Sequence, residues 1–196
     1  MKDPLALFST PWLQGRFGFH VVILVRHPAA IMHSQQRLDW RFNFRHLVAQ
    51  PDLMDDLLSP WAEQIERLAN TDQVDLAEES ALVWRLMYGV ADQWRDTHPE
   101  WSVVRHEDLS TTPQEEFRSL CRRVELGFCE RIEQRLQSTT TSSNPTMAPS
   151  GVAHQLERNS VANVGVWKDR LTQADQMSLR RHLNGAADGW YPPCSW

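Results

Sequence analysis

The fold of this chain is decided by residues 21–40, VVILVRHPAAIMHSQQRLDW. The first five residues form an unbroken apolar and mostly β-branched run, which is typical of a strand buried on both faces of a parallel sheet. Pro28 then stands where a helix would begin, a position that tolerates its missing N–H. We therefore predict a strand that passes directly into a helix, with Arg26 at the carboxyl end of the strand.

The rest of the chain contributes mainly helices. Apolar residues recur at helical spacing over residues 53–68 and 76–95. WSVVRHEDL (residues 101–109) reads as a short second strand. A helix is predicted to follow the capping box at Thr112–Glu115, and another to begin after Thr172. This order predicts a helix-rich α/β fold in which helices flank a parallel sheet, with residues 1–196 in a single domain.

Composition narrows the possible partners. The formal charge is −5 and the sequence pI is about 5.9. This composition gives no indication of a basic face that would bind nucleic acid. No segment approaches the ~20 apolar residues that span a bilayer. The three cysteines include no CxxC pair, which favours free thiols in a reducing compartment. Together with an N-terminus unlike a signal peptide, these features predict a cytoplasmic protein.

Three further groups of residues are interpreted without a functional role. The nine tryptophans suggest stacking platforms, but Trp61, Trp84 and Trp94 lie at helical spacing among apolar residues and are expected in the core. Glu107 and Asp108 are interpreted as structural, because adjacent residues of a strand point to opposite faces. The histidines show no metal-ligand spacing, so no metal site is predicted.

Arg26 is the first candidate for a functional residue. Ligands of open parallel sheets bind beyond the carboxyl ends of the strands, and the following helix would present free N–H groups at the same place. A guanidinium can hold two phosphate oxygens at once, and Ser34, two helical turns later, adds a hydroxyl. The alternative is that Arg26 pairs with a neighbouring acid and Ser34 faces solvent. The residues alone leave both interpretations open.

Four motifs in order resemble sulfotransferases that use 3′-phosphoadenosine 5′-phosphosulfate. The R-x-P at Arg26, with a serine eight residues later, is similar to the 3′-phosphate motif of that family. The other three are KDPLALFS (residues 2–9), VVRHEDLSTTP (residues 103–113) and NVGVWKDRL (residues 163–171). The resemblance implies a P-loop-like α/β fold, this nucleotide as co-substrate without a metal, and Arg26 and Ser34 as ligands of the 3′-phosphate.

The sequence departs from the family at its beginning. Members of the family carry a strand and a phosphate-binding loop upstream of the arginine, which hold the 5′-phosphosulfate. None of the eight glycines here belongs to a G-x-x-x-x-G-K-[ST] pattern. We therefore expect a truncated sheet that corresponds to the C-terminal two-thirds of the family, as in a fragment, and exposed sheet edges that favour self-association.

The resemblance also implies roles for five more residues. His106 stands where many relatives have a tyrosine before Glu-Asp-Leu, and would contact the adenine. Arg158 or Ser160, near the place of the family's Arg-Lys-Gly triplet, would assist the 3′-phosphate. Asp3 would be the general base, and Lys2 a cation near the leaving group or the acceptor.

The expected reaction is transfer of a sulfuryl group to an acceptor hydroxyl on a carbohydrate, lipid or small molecule. The main alternative is a non-catalytic remnant of the fold that binds a nucleotide or a partner. A chance match in an unrelated helical protein is the third possibility. The acceptor is not readable, because its pocket comes from variable helices and loops.

Overall fold

The computed structural model describes residues 6–149, 152 and 155–196. It is rich in helices and contains a small parallel sheet, so the helix-rich α/β class predicted from the sequence is confirmed at that level. The strands are β1 (Val22–Val25) and β2 (Ser102–Arg105). The α-helices are α1 (Thr10–Phe17), α2 (Pro28–Leu38), α3 (Arg45–Val48), α4 (Pro51–Asp56), α5 (Ala62–Ala69), α6 (Leu76–Thr97), α7 (His106–Thr111), α8 (Pro113–Arg123), α9 (Glu130–Thr140), α10 (Ser160–Val164), α11 (Val166–Arg170) and α12 (Gln173–Leu183). Short 3₁₀ turns occupy Ala6–Ser9, Ser59–Trp61 and Pro193–Ser195. None of the helices in these residues combines the length and apolar character needed to cross a bilayer.

The two strands pair in parallel, with Val22 opposite Ser102 and Val25 opposite Arg105. Burial along β1 alternates, and only Ile23 and Val25 face the core. Val22 and Leu24 are 42% and 44% exposed. The expectation that β1 is buried on both faces is therefore wrong, because the core covers only one face of this short sheet.

Helix α6 is the central support of the core, and it packs against α2 and α12. It carries Trp84 and Trp94, whose predicted burial is confirmed. Trp61 is only partly buried and packs against the edge of the core. A methyl group at Gly89 of α6 would lie 2.6 Å from Cζ2 of Trp61, so the absent side chain gives the indole its room.

Local signals predicted some helix boundaries and missed others. Thr172 caps α12 in a full capping box with Asp175, as expected. The capping box predicted at Thr112 does not form, because its hydroxyl donates to the carbonyl of Asp108. The single helix predicted over residues 53–68 is two helices, α4 and α5, with the 3₁₀ turn that contains Pro60 between them.

Candidate functional site

Arg26 follows the last residue of β1, and its backbone is fixed by side chains of α6. The indole Nε1 of Trp84 donates to the carbonyl oxygen of Arg26 at 2.9 Å. The hydroxyl of Tyr88 accepts from the amide of Arg26 at 3.3 Å and donates to the carbonyl of Leu24 at 3.2 Å. The edge of β1 is thus held by α6, and the arginine leaves the sheet in a defined position.

The guanidinium of Arg26 is left incompletely paired. Its Nη1 donates to Oγ of Ser34 at 3.3 Å, while Nε is buried without a hydrogen-bond partner among the described residues. In that part of the chain no carboxylate forms an ion pair with Arg26. Burial lowers the pKa of Arg26, and the charge of Glu107 opposes that effect. The geometry therefore shows the arginine and serine together rather than the alternative arginine–acid pair.

A cleft of about 370 Å³, counted with its solvent-open space, lies beside this pair. One wall is a single face of α2, formed by Ala30, His33, Ser34 and Arg37 at helical spacing. The other described lining residues come from 147–148 and 158–167, and include Arg158 and Trp167. The lining of the cleft holds three arginines and, among the described residues, no carboxylate. The cleft is therefore suited to an anion.

The structure separates the two residues predicted from the place of the family's triplet. Arg158 lines the cleft; its backbone amide donates to the carbonyl of Thr139 at 2.9 Å. Burial and the charge of Arg37 lower the pKa of Arg158. Ser160 is not part of the lining, and its hydroxyl donates to the carbonyl of Ser110 at 2.7 Å. Arg158 is thus placed to contact an anion, whereas Ser160 fastens α10 to α7.

His106 is the first residue of α7 and does not line the cleft. Its Nδ1 is 3.5 Å from Oγ of Ser110. Burial lowers the pKa of His106, with further lowering by the charges of Arg26 and Arg158 and an opposing effect of Glu107. The histidine is therefore close enough to sense the cations of the cleft.

The first backbone amides of α2 are hydrogen-bonded within the protein. The amide of Ala29 donates to Nδ1 of His27 at 3.2 Å, and the amide of Ala30 donates to the carbonyl of His27 at 3.0 Å. Pro28 has no N–H. The expectation that free amides of this helix would face a ligand is therefore wrong. Side chains, not the helix terminus, carry the positive character of the cleft.

Glu107 fastens the ends of the two strands together. Its Oε1 accepts from the amide of His27 at 3.0 Å, and its Oε2 accepts from the hydroxyl of Tyr191 at 2.6 Å. Asp108 pairs instead with Arg105 at 2.5 Å. The structural interpretation of both acids agrees with these contacts. However, both lie in α7, not in a strand as the sequence suggested.

His27 also forms the floor of an aromatic cluster. Its ring stacks on Trp167, with centroids 4.5 Å apart, and meets Tyr191 and Trp196 edge-on at 4.7 and 4.6 Å. Burial, assisted by the charge of Lys168, lowers the pKa of His27 to about 3. Trp167 thus connects the G-x-W-K segment to the residue next to Arg26.

Three polar residues of the cleft have no role assigned from the sequence. They are His33, which precedes Ser34, and Arg37 and Asn163. The signal for Arg37 was available, because it lies three residues after Ser34 on a helix. Lys2 and Asp3 lie outside the described residues.

No family model matches the chain in comparisons with known proteins, and no curated protein or solved structure matches it significantly. Within the described residues, no group of three or more His, Cys, Asp or Glu side chains is arranged to hold a metal ion.

Proposed function

We propose that the cleft binds the 3′-phosphate of 3′-phosphoadenosine 5′-phosphosulfate and that the protein is of the sulfotransferase type. The observation that carries this proposal is the incomplete pairing of the Arg26 guanidinium. Its Nε is buried and unpaired, and no described carboxylate forms an ion pair with its guanidinium, although the charge of Glu107 offsets part of the effect of burial. A partly desolvated cation that lacks an ion-pair partner favours an anionic ligand.

The residues around Arg26 suit a phosphate monoester. The hydroxyl of Ser34 accepts from Nη1 and donates to the carbonyl of Ala30 at 2.9 Å, so it would contact an anion beside Arg26 by turning its hydrogen away from that carbonyl. Arg37 and Arg158 add two cations to the lining of the cleft. A guanidinium group can donate two parallel hydrogen bonds to two oxygens of a phosphate, which fixes the orientation of the ligand as well as neutralising its charge.

Transfer would proceed by in-line displacement. An acceptor hydroxyl oxygen attacks the sulfur, the bond from sulfur to the 5′-phosphate oxygen breaks, and the hydroxyl proton passes to a general base. Asp3 is the proposed base and Lys2 the proposed cation near the leaving group, both from the resemblance. The acceptor would be a hydroxyl of a carbohydrate, lipid or small molecule.

The second candidate function is nucleotide binding without chemistry. The described residues that carry the proposal, Arg26, Ser34 and Arg158, would all serve to bind an anion, so they fit binding alone as well as transfer. The two candidates share the 3′-phosphate site. They differ in whether adding an acceptor releases 3′-phosphoadenosine 5′-phosphate from the co-substrate.

Thermal unfolding with different nucleotides tests the shared site. At 100 times its dissociation constant, 3′-phosphoadenosine 5′-phosphate should stabilise the protein by about 2.7 kcal/mol, or about 5–10 °C for a chain of this size. Adenosine 5′-phosphate lacks the 3′-phosphate and should stabilise it much less.

Two substitutions sharpen the test. Arg26→Gln should abolish the stabilisation, whereas Arg122→Gln removes an equal charge from an exposed position on α8 and should preserve it. An equal response to both nucleotides, or a response unchanged in Arg26→Gln, would refute the proposed site.

A further inference from the structure

His33 is a titratable side chain in the lining of the cleft. It lies on the same face of α2 as Ser34 and Arg37. Its Nδ1 is buried and has no hydrogen-bond partner among the described residues. A buried polar atom without a partner is uncommon in a native protein and calls for an explanation. Here the atom belongs to a ring that borders the candidate anion site.

The charges around His33 are all positive. Arg37 approaches it from α2, Arg170 from α11 and Arg26 from the end of β1, and no acidic group contributes a resolved effect. Burial lowers the pKa of His33 first, and these three arginines lower it further. In the empty cleft the imidazole is therefore neutral near pH 7, although it stands in a site built for negative charge.

A bound dianion would reverse this balance. Its charge would offset the arginines, and its oxygens would accept a hydrogen bond from a protonated ring. We propose that His33 is a proton-linked ligand of the anion, so that binding in the cleft takes up a proton and strengthens as the pH falls. The inference rests on the proposed function and adds a fourth, pH-dependent cation to its phosphate site.

The direction of the pH effect follows from linkage. Above the pKa of His33 in the complex, the ring is neutral in both states and affinity does not depend on pH. Between that value and the lowered pKa of His33 in the empty protein, affinity rises by at most about tenfold for each unit by which the pH falls. Below both values it levels off at its maximum.

Sulfate is the appropriate probe, because it remains a dianion from pH 5 to 8 while a phosphate monoester itself titrates near pH 6. Calorimetry in two buffers of different ionisation enthalpy gives the number of protons taken up. We expect uptake of up to one proton and tighter binding at pH 5.5 than at pH 7.5. His33→Gln should bind sulfate without this dependence, and His46→Gln, at an exposed position on α3, should retain it.

A histidine NMR titration of the wild-type protein gives a second measurement. It needs a variant only to assign the His33 signal. The midpoint of the His33 signal should move to higher pH in saturating sulfate. Sulfate binding that requires Arg26 but leaves this midpoint and the proton count unchanged would overturn the inference while sparing the proposed function. Absence of both sulfate and 3′-phosphoadenosine 5′-phosphate binding at every pH would overturn both.

Discussion

Acid should destabilise this protein through His27. The imidazole is 3% exposed and is enclosed by Trp167, Tyr191 and Trp196. Its Nδ1 is used as the acceptor that caps α2, so protonation would break a hydrogen bond as well as bury a charge. Burial, together with the charge of Lys168, lowers the pKa of this histidine to about 3.

The magnitude follows from the difference between the folded and unfolded states. An unfolded histidine has a pKa near 6.5, so below that pH the unfolded chain takes up a proton that folded His27 refuses. The free energy of unfolding then falls by about 1.4 kcal/mol per pH unit. The loss is about 2 kcal/mol at pH 5 and continues to about pH 3. At pH 5 the melting temperature should be lower by about 4–8 °C from this group alone.

The assay is urea or thermal unfolding at pH 7 and pH 5, and the difference between the two is compared among variants. His27→Asn retains a cap for α2, and His27→Phe retains the ring packing; neither can titrate. Both should reduce the loss of stability on acidification by about 2 kcal/mol. His46→Asn, at an exposed site, is the control. Other groups also contribute to the wild-type slope, which is why the comparison with variants decides. If both His27 variants lose as much stability as the wild type, the buried neutral state of His27 is wrong.

Two other substitutions test how the core and the strand ends are held, by urea unfolding at neutral pH. Gly89→Ala should destabilise the protein by up to about 2 kcal/mol, because overpacking against Trp61 outweighs the ~1 kcal/mol gain in helix propensity. Gly15→Ala on α1 meets no atom within 4 Å and should stabilise by up to ~1 kcal/mol, so equal effects at the two sites would contradict the close approach. Glu107→Gln should cost about 1–3 kcal/mol, because a neutral amide weakens the hydrogen bonds from the amide of His27 and from the hydroxyl of Tyr191; an unchanged unfolding midpoint would show that the carboxylate is dispensable.

Much of the fold could be predicted wherever a local pattern decides it. The apolar run before Arg26, proline at the start of α2, the periodicity of α6 and the capping box of Thr172 all lie within a few residues of what they determine. The capping box at Thr112 failed although its pattern was correct, because the hydroxyl found a competing carbonyl in the preceding turn. Helix α9 was missed inside a polar stretch with none of its residues buried.

The residues of the candidate site could also be predicted where they lie close together in the sequence, but not where they are far apart. Arg26 and Ser34 meet because both lie within one strand-to-helix connection, so their spacing of eight residues is readable from the sequence. Arg158 lies more than one hundred residues later in the chain, and only the folded structure shows that it lines the cleft while Ser160 does not. The contact of Glu107 with the amide of His27 is also distant in sequence, at eighty residues.

The arrangement of charge would link the stability of the protein to the proposed binding of an anion. Helix α6 fixes the backbone at the end of β1 through Trp84 and Tyr88, so the point at which the Arg26 side chain leaves the strand is defined. The guanidinium is thus held in a partly desolvated position beside two more arginines, which costs stability while the cleft is empty. A bound anion would neutralise the guanidinium and so remove this loss of stability. Replacement of Arg26 by methionine should therefore raise the free energy of unfolding in anion-poor buffer and abolish its increase on addition of 3′-phosphoadenosine 5′-phosphate, as measured by urea titration. A methionine variant that is less stable than the wild type in the absence of anions would show instead that Arg26 serves the fold.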